Sequence, residues 1–169
     1  MWRHSIRNNT VIRQLAVTES ELQQNPATVD ARAARGNAGH VTDEVERLLA
    51  RAHEELCAAR ALFDAGFPSQ ALSRAYLAAY DAACAALTQI GEYPDTRSGV
   101  VSAFGLRVVI EGRLDHEIGR ILRGLFDDRA YVDYALGEAP AEHSRVAISD
   151  AGRLLDATTQ WIERRVAAA

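Results

Sequence analysis

From Thr42 to the C-terminus, apolar residues return at every third or fourth position, and this period restricts the fold more than any other feature of the sequence. Val45, Leu48, Leu49, Ala52, Leu56, Ala59, Leu62 and Phe63 make a first stripe of about five turns at 3.6 residues per turn. Thr42 is placed to cap this helix, and Asp43 and Glu44 suit the positive end of its dipole. Gly66 and Pro68 stop it, since glycine takes the left-handed conformation of a helix end and proline has no amide hydrogen to continue the ladder.

Ser69 reads as the N-cap of a second helix with Leu72, Tyr76, Ala79, Tyr80, Ala83, Leu87 and Ile90 on one face. Its other face, Ala71, Ala75, Ala78, Ala82 and Ala85, is nearly pure alanine, which permits close helix approach and predicts a central position. Gly91 caps it, and residues 92–96 form a connection. Residues 98–110 are rich in β-branched side chains; we read them as helix because no partner strand exists to satisfy an isolated one. After Gly112, a fourth helix spans 114–135 with Ile118, Ile121, Leu122, Leu125, Phe126 and Val132 inward, and Gly137 ends it. Pro140 suits the first turn of a last helix whose inward residues include Val146, Ala147, Ala151, Leu154, Leu155, Trp161 and Ile162. Four or five amphipathic helices joined by short loops pack most economically as an antiparallel up-and-down bundle, so the expected class is all-α.

Residues 1–40 are expected to form a separate N-terminal arm. They are polar and loosely patterned; Thr18 and Glu21 could open a short helix, Pro26 would end or kink it, and Gly36, Asn37, Ala38 and Gly39 suggest a flexible joint before the bundle of residues 41–169. The two cysteines, Cys57 and Cys84, are too few for a disulfide framework and read as small buried thiols in a reducing compartment. Met1 to Ser5 lead into no apolar run, and no stretch approaches the length of a membrane span, so a cytoplasmic protein is expected. The net charge of −4 gives no global attraction to polyanions; binding nucleic acid requires a local basic surface, for which the 19 basic residues, all arginine, leave room.

Arg129 is the informative anomaly, because it follows Leu122 and Leu125 and precedes Val132 on one helical face. An arginine in line with a core stripe either snorkels outward or finds a partner, since burying it alone costs several kcal/mol. Asp133, one turn on, is the local candidate, and Tyr134 adds a hydroxyl. That arrangement fits either a salt bridge at the core edge or a guanidinium held ready for a phosphate. Arg74, flanked by small residues on the central helix, raises the same choice. No histidine or cysteine pair has metal-ligand spacing, and no cofactor is implied.

Four segments in order, residues 71–80 around Arg74 and Tyr76, 96–104 beginning Thr96-Arg97-Ser98, 112–115, and 129–134 from Arg129 through Asp133 to Tyr134, resemble the HEPN family of small helical bundles in its short, single-domain bacterial and archaeal branch. The resemblance covers roughly residues 44–165. It implies a homodimer that binds or acts on RNA or nucleotides, often as the toxin beside a nucleotidyltransferase-type antitoxin. It further implies Arg129, Asp133 and Tyr134 at the catalytic position of active relatives, and Arg74, Tyr76, Arg97 and Ser98 toward a ligand in a shared cleft. Active relatives cleave RNA without metal, using an arginine followed four to six residues later by histidine; base, acid and cation are what phosphodiester cleavage demands. In this chain the positions where that histidine would stand are Tyr134, Ala135 and Leu136; Asp133 and Tyr134 occupy the turn instead, and Arg97 stands where relatives commonly carry histidine. Three readings follow from it: an Arg-lined binding protein, a ribonuclease with a non-standard site, and a non-catalytic interaction module.

Overall fold

The computed structural model describes the backbone of residues 26–135 and 139–168 and the side chains of residues 39–129 and 139–168. The chain divides into two units, Met1–His40 and Val41–Ala169, and the second holds the helical bundle. Its described residues are all helix and connection, without a strand. Helix α1 is Pro26–Asp64, α2 is Pro68–Gln89, α3 is Arg97–Ala103 continued by a wider π-helical segment Phe104–Ile110, α4 is His116–Ala135 and α5 is Ala141–Ala167. The all-α bundle expected from the periodicity is therefore what forms. No helix among the described residues is long and apolar enough to cross a membrane.

The helix ends follow glycine. At Gly66 (φ +85°) the amides of Gly66 and Phe67 return to the carbonyls of Phe63 and Leu62, and at Gly91 (φ +76°) those of Gly91 and Glu92 return to Thr88 and Leu87. Both are Schellman closures, in which a left-handed residue lets two amides reach back to orphan carbonyls. Thr96 caps α3 by accepting from the Gly99 amide at 3.0 Å.

Two start signals act differently from expectation. Thr42 lies inside α1, so the first helix has no cap at Thr42. Helix α2 starts at Pro68, with Phe67 in the capping position, and the Ser69 hydroxyl instead accepts the Ala139 amide at 2.9 Å. Pro140 precedes α5 as its cap residue.

Helix α2 is the centre, packing against α4, α5 and α3. Eight of its alanines, at 71, 75, 78, 79, 82, 83, 85 and 86, are wholly buried, as are Tyr76 and, on α3, Phe104. The π turn places Phe104, Val108 and Val109 inward together and leaves Leu106 and Ile110 exposed. Trp161 of α5 packs on the chain at Gly112 and donates its indole hydrogen to the Gly112 carbonyl at 2.8 Å. Two apolar expectations fail: Val146 is 50 % exposed, and Cys57 is exposed on α1. Each sits at a stripe's edge, where a shift of one position, about 100° around the axis, turns a side chain outward.

Candidate functional site

The site grows from Tyr76, whose ring is fully buried at the centre of α2. Tyr80, one turn along, lies 5.8 Å from it between ring centroids, and Phe126 of α4 lies 6.2 Å away at a tilt of 56°. Arg129, three residues after Phe126 and so on nearly the same face of α4, completes the group, its guanidinium carbon 5.1 Å from the Tyr76 centroid. A guanidinium on an aromatic face is attracted by the ring quadrupole, by about 0.5–2 kcal/mol depending on how dry the contact is. Arg129 is thus half-buried, as its place in an apolar stripe requires, and its Nε is shielded from solvent.

The Tyr76 hydroxyl is buried and makes no hydrogen bond among the described residues. Burial pushes its pKa above the usual phenol value. Arg97 and Arg129 oppose that through their charge, and Arg129 also through a contact that falls short of full hydrogen-bond geometry. Two cations from separate helices, Arg97 at the start of α3 and Arg129 on α4, therefore act on one phenol. Arg97 is exposed and forms no ion pair among the described residues. Ser98 is exposed beside it, its hydroxyl 3.4 Å from that of Thr96.

The other expected site residues have their own settings. Arg74 points to α1, where its guanidinium meets Glu55 at 3.0 Å on the surface. Asp133 and Tyr134 belong to α4, but their side chains lie outside the described residues. Among the described residues no cluster of three or more histidine, cysteine or acidic side chains could hold a metal.

Two features escaped the sequence reading. Asp81, 3 % exposed on α2, is held by Arg51 of α1 through Nε at 2.6 Å and Nη2 at 2.5 Å, a fork-to-fork pairing of residues thirty positions apart. Its signal was an aspartate amid buried alanines. A groove of about 820 Å³ also lies between α4 and α5, where His143 meets Asp128 at 2.8 Å. Its walls carry Glu117, Glu142 and Asp150 as well, with Arg120 as the arginine among them, so acidic side chains outnumber basic ones there, and Arg129 does not line it.

An antiparallel bundle whose central helix holds a tyrosine under an arginine from a neighbouring helix defines a class of small helical domain, and relatives identify which. The HEPN domain profile matches residues 45–162. A protein of Methanocaldococcus jannaschii named "Putative toxin MJ0605" is 31 % identical over 116 residues, covering 69 % of this chain and 87 % of that protein. A UPF0332 protein of Gloeobacter violaceus is 30 % identical over 124 residues, 72 % of this chain and 98 % of that one, and another from Pyrococcus horikoshii is 35 % identical over 82 residues, 48 % and 58 %. The chain belongs to the HEPN domain family.

Proposed function

We propose that this protein is the HEPN component of a toxin–antitoxin or nucleotidyltransferase-linked module, and that two copies pair to present Arg97 and Arg129 in a shared cleft to RNA or a nucleotide phosphate. The observation that carries this reading is the Arg129 guanidinium 5.1 Å from the ring centroid of buried Tyr76. An arginine stacked on an aromatic face is held in one orientation, as bidentate phosphate recognition needs. The relative named as a toxin supports the module. Arg74 serves this reading from the periphery, because Glu55 already engages its charge.

The test is binding of fluorescent single-stranded RNA by anisotropy at two salt concentrations, with molar mass measured by light scattering. The expected outcome is a dimer whose affinity falls about tenfold in R129A and in R97A, the loss of one charge-assisted phosphate contact each, while the far-ultraviolet spectrum is unchanged. A monomer, or a folded R97A/R129A variant that binds as tightly as the parent, refutes the proposal. Incubation of the same RNA in EDTA decides whether the bound strand is also cut through Arg129.

A further inference from the structure

The α4 wall of the 820 Å³ groove, which Arg129 does not line, runs from Glu117 to Asp128, about 16 Å or three helical turns. The Arg153–Glu117 pair at one end and the His143–Asp128 pair at the other show that α5 runs antiparallel along it. Ile121, Leu125 and Ala147 make an apolar floor, and Val146, 50 % exposed, stands on the α5 wall. A trough of this length between two helices suits the apolar face of a third.

Gly124 points to what lies there. It is exposed in the middle of α4 and lines the groove, yet an added Cβ would meet no atom within 4 Å, and its φ is not left-handed. Neither packing within the chain nor backbone conformation therefore calls for glycine. Gly119 on the same helix shows the ordinary case, since an added carbon there would lie 3.2 Å from Cγ2 of Val109. Glycine inside a helix weakens it relative to alanine, and what it offers instead is close approach by another backbone. Charge narrows the choice of partner. The rim sets Glu117, Asp128, Glu142 and Asp150 against Arg120. Arg145 and Arg153, outside the groove, hold Glu142, Glu117 and Asp150 through surface pairs, weak enough for a partner's cations to share them. Two-fold pairing of this face with its own copy would set the acidic rim against itself.

We propose that this groove docks an amphipathic helix of a partner protein, with small and apolar residues on its buried face and lysine or arginine along both flanks. Its backbone crosses α4 at Gly124, and its apolar face covers Val146 and the floor. The flanking cations meet the rim carboxylates, which speeds encounter and disfavours acidic helices. The same carboxylates keep RNA out of the groove. This site is independent of Arg97 and Arg129.

The experiment is fluorescence anisotropy of the full chain with a labelled synthetic helix of about sixteen residues, roughly four turns. The peptide carries alanine and leucine on one face and lysine on the flanks, and its twin carries glutamate for every lysine. Saturable binding is expected, with the basic helix about tenfold tighter than its twin. Gly124→Gln, a better helix former that fills the groove, should weaken the basic helix about tenfold while raising Tm. Glu117→Gln/Asp150→Gln should weaken it as well, whereas Glu46→Gln/Glu54→Gln, which removes equal charge from exposed positions on α1, should not. R97A/R129A should bind the peptide like the parent whatever becomes of RNA binding, so the two sites fail separately. Equal binding of the twins, a folded Gly124→Gln that binds as tightly as the parent, or an equal loss in the α1 control overturns the proposal. So does a parent dimer that Gly124→Gln dissociates in light scattering, because a second copy then fills the groove.

Discussion

The Arg51–Asp81 pair gives the most quantitative test of the bundle. Arg51→Leu keeps an apolar stem against α2 but strips both hydrogen bonds from a carboxylate that is 3 % exposed. Removing one partner of a buried ion pair costs about 3–5 kcal/mol, because the other charge is left without compensation. The Arg51 side chain is 58 % exposed, so water can reach the vacated end of Asp81, and the expected loss falls to about 2–3 kcal/mol. For a chain of this length that lowers Tm by about 5–10 °C. The double variant Arg51→Leu/Asp81→Leu should return to within about 1 kcal/mol of the parent, because a buried pair roughly breaks even against apolar side chains of similar volume. Thermal and urea unfolding followed by circular dichroism measure both. A single variant as stable as the parent, or a double variant no better than the single, would falsify the view that Asp81 depends on Arg51.

Three further outcomes are expected. Tyr76→Phe should change stability by less than about 1 kcal/mol, or raise it, since it deletes a hydroxyl that has no hydrogen bond to lose; a loss above 2 kcal/mol in urea unfolding would mean the hydroxyl is satisfied. Gly112→Ala should cost about 1–3 kcal/mol and alter the near-ultraviolet Trp161 signal, because the added carbon would stand 2.5 Å from the Val108 carbonyl oxygen and 2.8 Å from Cζ2 of Trp161. Burial raises the Cys84 thiol to about 11 from an ordinary 9.0, which favours its neutral form in the fold. The stability this group contributes is therefore complete below pH 9 and is lost as pH rises toward 11, a decline that Cys84→Ala should flatten in unfolding curves. Cys84 is therefore overwhelmingly a neutral thiol at pH 8, and iodoacetamide should modify exposed Cys57 first by mass spectrometry.

The features legible in the sequence are those set by local chemistry. Gly66 and Gly91 end their helices because the left-handed turn needs glycine, and the alanine face of α2 announces a central helix by its size alone. Arg129 stood out because Leu125, Phe126 and Val132 flank it on one helical face, and the half-buried guanidinium over Tyr76 is the result. Signals with more than one use misled. Thr42 and Ser69 are good caps, but a helix already under way passes through the first, and the second spends its hydroxyl on Ala139. Pairings across the bundle, such as Arg51 with Asp81 or Arg74 with Glu55, have no local spacing to betray them. Nor does the π turn, which alters the register that decides whether Leu106 and Ile110 face in or out.

The alanine spine of α2 carries a consequence for how such a domain can vary. Ala75 and Ala82 are wholly buried, so a single added methylene at either must push a packed neighbour aside. Arg97, Tyr93 and Asp95, by contrast, stand on the surface just beyond that spine and can be exchanged without moving it. Descent from a common ancestor can therefore rewrite the chemistry at the margin of this bundle many times over while its middle is held nearly fixed.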